Sequence, residues 1–421
     1  MASLVRVPIR RNPHYRRNGL KSYVYMLNKY RISPTIKGPY SAVKGKKLLV
    51  KQNADGSPGE VSATDQQNDS LYTCPVKIGT PAQTLNLDFD SGSSDLWCWS
   101  TELPQSTLSA GKGHTIFDPS KSTTFKTTQG STWRIQYGDQ SSASGNVGTD
   151  NIEIGNITVK NQAIELATKL SSQFTQDATS DGLLGLAFGS INTVQPKPVQ
   201  TPVANMIAQD DIPQNAELFT CYLGSIKDTN EESFYTFGQI DQSVIPSGAS
   251  IAYTPVDNSQ GFWMFDSTSA QVNGKTIQLS GNKAIADTGT TLLLTSDEVC
   301  QEVYSAIPGA QQDSSQQGWV FPANTAENDL PSVTFMVGNA SITIEKQHLA
   351  FAGGADGGMV YGGIQSRGDL NFDIFGDTFL QNVYAVFDVG NTRLGVVQRA
   401  VPSSSQASNQ APTSNPAKAE L

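Results

Sequence analysis

A mainly β protein built from two related halves is what the sequence predicts, on three observations. Short runs rich in Val, Ile and Thr are broken throughout by Gly, Pro, Asn and Asp, which is the pattern of brief strands joined by turns. Convincing helical stretches are few. One set of motifs occurs twice, about 190 residues apart, the mark of an internal duplication. A chain of 421 residues has room for two or three domains.

The helices come first because they are the exceptions. "TPVANMIAQD" offers Thr201 as a cap, Pro202 in the first turn, and Val203, Met206 and Ile207 on one face. "SDEVCQEVYSAI" offers Ser296 as a cap, with Val299 and Val303 four apart. No apolar run approaches the ~20 residues that a membrane span needs. The opening "MASLVRVPIRRNPHYRR" lacks the apolar stretch of about 7–15 residues that a secretory signal carries. The closing stretch 401–421, rich in Ser, Pro, Ala and Asn, is expected to be disordered.

Charge is divided unevenly. Residues 1–54 hold 13 Lys and Arg and no Asp or Glu; the remainder holds 16 basic and 38 acidic residues. A basic arm can signal nucleic acid, but the acidic body would repel a phosphate backbone. The expectation is that the arm folds back onto the body, without a nucleic-acid or membrane partner. Three His residues, His14, His114 and His348, are scattered, and there is no Cys-x-x-Cys; zinc is not expected, nor any other metal or cofactor. Four cysteines allow three pairings, of which Cys74–Cys98 with Cys221–Cys300 is the one expected. Asn68, Asn156 and Asn339 head N-glycosylation triplets.

The chemistry lies in "LDFDSGSSDLW", Leu87 to Trp97. Asp-Ser-Gly alone is turn chemistry. A calcium loop starting at Asp88 would need Glu at its twelfth position, where Trp99 stands. The partner is "AIADTGTTLLL", whose Asp287 follows Asp90 by 197 residues. Each is followed, after 95 and 89 residues, by an apolar-apolar-Gly element, Leu183-Leu184-Gly185 and Ile374-Phe375-Gly376. Two carboxyls brought close together cannot both ionise, so one keeps its proton. Such a pair can take a proton from water and give one to a carbonyl oxygen, which is peptide hydrolysis without metal or covalent nucleophile. Aspartic proteases are the standard instance.

These motifs, with "WRIQYGDQSSASG", "DGLLGLAFG" and "IFGDTFLQNVYAVFD", resemble in order and spacing those of the pepsin-like aspartic proteases, above all the secreted fungal ones. The resemblance covers about residues 60–400. It implies a bilobal, almost all-β body: a lobe over 59–240 bearing Asp90 and a flap, and a lobe over 241–400 bearing Asp287. Residues 1–58 resemble a basic prosegment that covers the catalytic pair as an intramolecular inhibitor. Lysines of "LNKY" (Leu27–Tyr30) or of "KGKK" (Lys44–Lys47) are candidates to reach the pair, and the sequence does not choose between them. Self-cleavage in "NADGSPGE" (Asn53–Glu60) would release the arm in acid.

Residue by residue, Gly92 and Gly289 let the backbone approach the carboxyls and offer N–H donors. Ser91 and Thr288 resemble the pair whose hydroxyls cross between lobes; Ser at 91 departs from the usual Thr. Ser93 and Thr290 stand where outer hydrogen bonds to the carboxylates originate. Tyr137, Gly138 and Asp139 match the flap, and Trp97 the residue bracing its tyrosine. Asp88 shares a strand face with Asp90. Leu183 and Ile285 match the apolar walls of the pockets flanking the scissile bond. Asp88 and Asp139 together would admit Lys at P1, beside a main preference for large hydrophobic residues. The disulfide usual in the second lobe is missing, with Ala323 and Val360 at its positions.

The expected protein is therefore a monomeric acid endopeptidase made as a zymogen, acting on protein and peptide substrates and blocked by pepstatin-type inhibitors. The family implies secretion; the absence of a visible signal keeps a cytoplasmic or vacuolar site as the alternative. A catalytically silent peptide-binding protein of the same fold is the second reading, against which Asp90, Asp287, Tyr137 and both glycines argue. The scattered His residues argue against a serine or cysteine hydrolase.

Overall fold

The structure is a computed structural model, and it describes residues 4–11, 15–43, 48–52, 58–59, 72–136, 142–175, 180–224, 232–353 and 358–400. It is mainly β, as the alternating runs predict. An eight-stranded sheet takes its strands from residues up to Leu170 and from Gly182–Gly185, with the short strand Arg10–Arg11 added at one edge. A six-stranded sheet joins Phe234–Phe237, Leu218–Tyr222, Val383–Asp388, Arg393–Gln398 and Ala252–Pro255, with Val7–Pro8 at its edge. Three further sheets of five, four and four strands complete the second half.

The duplication seen in the motifs is a duplication of strand pairing. Strand Gln83–Asp90 runs parallel to Gly182–Gly185, with Gly185 opposite Asp90. Strand Lys283–Ala286 runs parallel to Asp373–Phe375, with Ala286 opposite Phe375. In each half the second strand of the pair then lies antiparallel to the one that follows the aspartate turn: Leu183 opposite Trp97, and Ile374 opposite Leu294. Parallel strands are buried on both faces, so they are written as continuous apolar runs. Leu183-Leu184 and Ile374-Phe375 are such runs. Between the halves, Phe219 stacks on Phe387 at 4.5 Å, and Trp263 packs edge-on against both. The Trp263 indole donates to Leu186 O at 3.0 Å, which ties the halves together beneath the two aspartates.

Both predicted helices form. Pro202–Ala208 is capped by Thr201, whose hydroxyl accepts from Ala204 N, and Asp297–Ser305 by Ser296, whose hydroxyl accepts from Val299 N. A third helix, Gly19–Lys29, was not foreseen. Asn18 caps it by accepting from Lys21 N at 3.0 Å, and Lys29 ends it, a favourable sign for the helix dipole. Ser22 to Asn28 are all buried. Tyr23, Val24, Met26 and Leu27 share an apolar cluster with Met264, Ile285, Leu292, Leu294, Phe372 and Ile374 of the second half, and with Tyr40 and Leu49 of the amino-terminal hairpin. Full burial of Val24, Met26 or Leu27 contributes about 1.5–3 kcal/mol each. The helix is thus held by packing on nearly every side.

The cysteines correct the sequence reading. Cys74, Cys98, Cys221 and Cys300 are all free and buried. Cys74 has Cys221 as its thiol neighbour rather than Cys98. Cys98 faces Asp181, Glu165 and Glu102. Cys300 sits on the helix Asp297–Ser305 near Asp297 and Asp373. All four belong to one apolar cluster without being bonded in the expected pairs, and burial pushes every thiol above its ordinary pKa, keeping it protonated. Among the described residues no helix is long and apolar enough to cross a membrane.

Candidate active site

Asp90 ends its strand and Asp287 follows its own by one residue, so the two loops meet where the two halves face each other. Asp90 is 1% exposed and Asp287 0%. The loops are locked by four reciprocal bonds. Ser91 Oγ donates to Ala286 O at 2.8 Å and accepts from Thr288 N at 2.9 Å. Thr288 Oγ1 donates to Phe89 O at 2.6 Å and accepts from Ser91 N at 3.0 Å. Ser at 91 therefore makes every bond its hydroxyl could make, and the missing methyl removes none of them.

The glycines have a steric reason. A Cβ at Gly92 would stand 2.6 Å from Asp287 Oδ1, and one at Gly289 would stand 2.3 Å from Asp90 Oδ1. Only a residue without a side chain lets each loop pass the opposite carboxyl. Each also donates: Gly92 N to Asp90 Oδ1 at 2.8 Å and Gly289 N to Asp287 Oδ1 at 3.0 Å. Ser93 Oγ reaches Asp90 Oδ2 at 2.7 Å. Thr290 does not match it. Its hydroxyl turns to the Asp287 backbone carbonyl at 3.3 Å, while Asp287 Oδ2 is occupied from another direction.

That occupant is the amino-terminal segment. Lys29 Nζ lies 2.9 Å from Asp90 Oδ1 and 3.0 Å from Asp287 Oδ2. The Tyr30 hydroxyl donates to Asp287 Oδ2 at 2.5 Å. Of the two lysine groups left open by the sequence, "LNKY" supplies the contact; Lys44–Lys47 lie outside the described residues, except that the strand Leu48–Gln52 follows them. One ammonium touching both carboxyls fixes how near they are, and each carboxyl acts on the titration of the other. The electrostatics are asymmetric. For Asp287, burial dominates, and the charge of Asp90 adds to it against the pull of Lys29; its pKa is pushed up to about 6. For Asp90, burial is outweighed by the charge of Lys29 and by hydrogen bonds from Asp287, Ser93 and Lys29, and its pKa falls below the usual carboxylate value. Below about pH 6 the pair therefore holds one proton between its members.

The remaining predicted residues divide. Asp88 is buried on the Asp90 strand, opposite Leu183. Leu183 packs with Trp97, Trp99 and Trp133, and Ile285 lies in the cluster that receives the helix Gly19–Lys29. The hairpin arms Lys126–Gln136 and Ser142–Ile154 pair with Gln136 opposite Ser142. Trp97 stacks on Trp133 of the first arm at 5.9 Å. The tip, with Tyr137, Gly138 and Asp139, lies outside the described residues, as do Asn68, most of Asn53–Glu60 and the stretch 401–421. Asn156 and Asn339 are exposed, each following a glycine at a hairpin tip. The sequence reading missed Tyr30, although its position beside Lys29 in "LNKY" was the available signal.

Comparisons agree with one another. A family model described as eukaryotic aspartyl protease matches residues 71–399. Aspergillopepsin-1 of Aspergillus fumigatus is 43% identical over 348 residues, covering 82% of this chain and 83% of its own. Endothiapepsin of Cryphonectria parasitica is 43% identical over 386 residues, 91% of this chain and 87% of its own. Penicillopepsin-1 of Penicillium janthinellum is 43% identical over 345 residues, 81% and 99%. Among solved structures, the aspartic proteinase from Irpex lacteus superposes with a TM-score of 0.65 at 26% identity, over 80% of this chain and 97% of that one.

Proposed function

The chain belongs to the eukaryotic aspartyl protease family and is an aspartic-type endopeptidase, and from that premise we propose that Asp90 and Asp287 hydrolyse peptide bonds in acid by activating a water molecule between them. The observation that carries this reading is the single Lys29 ammonium within 3.0 Å of an oxygen of each carboxyl. A water of similar size at that place would be within reach of both. The ionised carboxyl takes a proton from the water as its oxygen attacks the carbonyl, and the protonated one gives its proton to the carbonyl oxygen. A tetrahedral diol results; as its C–N bond breaks, one diol hydroxyl gives its proton to the ionised carboxyl and the protonated carboxyl gives its own to the leaving amine nitrogen, so the pair ends with one proton as it began. The N–H groups of Gly92 and Gly289 hold the carboxyls in place throughout.

The same contact supports a zymogen. Residues 1–58 act as the prosegment, Lys29 and Tyr30 occupy the place of water and substrate carbonyl, and the helix Gly19–Lys29 fills the apolar side of the cleft. The active enzyme starts near residue 59 and divides into lobes near residue 240. Exposure to an acidic extracellular or vacuolar setting suits both its release and its chemistry.

The deciding experiment is cleavage of denatured haemoglobin in acid, with and without pepstatin. Pepstatin-sensitive cleavage is the expected result; acid-treated protein that binds peptides without cutting them would establish the silent binding protein instead. Specificity follows from the walls at Leu183 and Ile285, which favour large hydrophobic residues on both sides of the bond. Lys at P1 would be met by Asp139 and Asp88. Asp139→Ser is expected to lower cleavage after Lys about tenfold, the worth of one charge-assisted hydrogen bond, while cleavage after Leu or Phe is unchanged. Competition between paired Lys and Leu peptides measures this, and an unaltered ratio removes Asp139 from the assignment.

A further inference from the structure

A second pair of carboxyl groups lies under the turn that carries Asp90. Asp95 stands five residues after Asp90, and Glu165 is on the strand Ile157–Leu170, opposite Trp97. They are 2% and 0% exposed. A single amide, Asn192 Nδ2, donates to Asp95 Oδ1 at 3.1 Å, to Glu165 Oε1 at 3.0 Å and to Ser94 O at 3.1 Å. Thr193 adds two donors to Asp95 Oδ1, its N–H at 2.8 Å and its hydroxyl at 2.9 Å. Glu165 Oε2 is buried and has no other hydrogen-bond partner among the described residues. One amide thus holds two buried carboxyls side by side, and two acids so close in a dry site cannot both ionise, so one keeps its proton.

Among the described residues no basic side chain forms a hydrogen bond or ion pair with either carboxyl. The titratable groups facing it are Asp90, whose charge acts on Asp95, and the Cys98 thiol beside Glu165, with Asp181 and Glu102 beyond that thiol. All of these are acidic or neutral. The pair is also wired to the catalytic turn. Asp95 O accepts from Gly185 N at 2.9 Å, and Asp90 O from Leu186 N at 2.8 Å; Ser94 Oγ donates to Phe188 O at 2.6 Å. Any movement of Asp95 is therefore transmitted to the loop between Asp90 and Leu96.

We propose that Asp95 and Glu165 are positioning residues that hold the Asp90 turn through one shared proton, and that losing this proton as pH rises sets the upper pH limit of the folded first half. Two carboxylates in this dry, cation-free site repel each other, and Glu165 loses its only route to a partner for the oxygen facing Asp95. The sign follows from the burial. Burial raises Glu165 well above its ordinary value, with the charge and hydrogen bond of Asp95 adding to it. Burial likewise raises Asp95, against hydrogen bonds from Thr193 and Glu165. A raised acid stabilises the fold fully at low pH and ceases to do so as pH climbs through its raised value. An enzyme that works in acid thus carries a stabilising device that is present only there. The effect on hydrolysis rests on Asp90 being catalytic; the effect on unfolding does not.

The test compares the full chain with Glu165→Gln, which keeps the shape and a hydrogen bond but cannot ionise. Thermal unfolding is followed by tryptophan fluorescence between about pH 5 and about pH 8, a range that includes no substrate step. The wild-type midpoint should fall with rising pH, and the fall should be smaller in the variant by about 3 °C or more. Asp95→Asn, which retains an acceptor for Thr193, should flatten the slope in the same direction and serves if Glu165→Gln does not fold. In processed enzyme, the alkaline limb of kcat/KM should move upward in Glu165→Gln while KM in acid stays constant. Wild-type slopes in both variants would overturn the proposal, whatever the catalytic assays show.

Discussion

Asp90→Asn and Asp287→Asn are each expected to lower kcat on a peptide substrate about 10³–10⁴-fold, the upper range for removing a general acid or base. Each carboxyl has its own reason for mattering. Asp90 is the member held ionised, by Lys29 here and by hydrogen bonds from Ser93 and Gly92 that do not depend on Lys29. Its amide would keep the hydrogen bond from Gly92 and lose the base. Asp287 is the member pushed up to about 6 by burial first and by the charge of Asp90 after Lys29 is counted. Its amide would keep an N–H donor to a substrate carbonyl and lose the proton that can be transferred. Both variants should fold, since the four bonds between the Ser91 and Thr288 loops do not involve either carboxyl. The full-length chain should therefore accumulate uncut in acid, and unfold at a midpoint close to wild type. Retention of more than about a tenth of wild-type kcat by either one would mean that the pair is not the machinery.

What the sequence disclosed, and what it withheld, follows a physical division. The two aspartate loops were legible because their chemistry is local and written twice: Asp, hydroxyl, Gly, each needed within three residues, each repeated 197 positions on. Parallel pairing of Leu183-Leu184 and Ile374-Phe375 beside them was legible as continuous apolar runs. The helix Gly19–Lys29 was not. "GLKSYVYMLNK" buries Gly19 and every residue from Ser22 to Asn28, the polar Ser22 and Asn28 included, because the helix lies against the body and against Tyr40 and Leu49; a sequence pattern reports burial only where the polar residues are the ones that meet water. Its cap, Asn18, and the closing Lys29 were present and undervalued. The choice between Lys29 and the lysines at 44–47 turns on three-dimensional reach, which charge counting does not contain. Thr290 shows the same limit at smaller scale. Its motif position equals that of Ser93, yet its hydroxyl meets a backbone carbonyl while Tyr30 and Lys29 hold the Asp287 oxygen, and neither motif contains that difference. The cysteine pairings failed because four thiols of one apolar cluster can be neighbours in any combination, and separation along the chain does not reveal that Cys221 lies beside Cys74.

Replacing Lys29 by Met is expected to invert the pH dependence of latency, the second large effect. In the wild-type chain the Lys29 side chain is 7% exposed, and burial is overcome by Asp287 and Asp90, which raise its pKa well above the ordinary value. It stays charged at every relevant pH, so it needs a carboxylate opposite. Asp90, depressed in the closed state, provides closing energy that is present above its free value and lost as pH falls through the depressed one. Asp287, raised to about 6, contributes with the opposite sign, favouring closure in acid and ceasing to do so as pH rises through about 6. The Asp90 contribution governs opening, because below it a buried ammonium faces two neutral acids. Breaking such a pair costs roughly 3–5 kcal/mol, a shift of about 10²–10⁴ in the closed-to-open ratio. Arg6 acts in the same direction: it holds Asp241 at 2.7 Å, and Asp241 is depressed because hydrogen bonds from Ser243 and Arg6 outweigh burial. With Met at 29 the stem still packs but the charge is gone. The closed state then buries a carboxyl pair with no cation, which is tolerable when both are protonated and costly when one is ionised. Latency is expected to fail near neutral pH, where the wild-type chain would be silent, and to hold better in strong acid, where the wild-type chain would open. The rate at which the 421-residue species disappears, followed from acid to neutral pH, reads this directly. Leu27→Ala, which loosens the same helix without touching charge, should speed processing at all pH values and leave the shape of the profile alone. If Lys29→Met gives the wild-type profile, or only the uniform acceleration of Leu27→Ala, the arm is held by packing and not by the ammonium between the two acids.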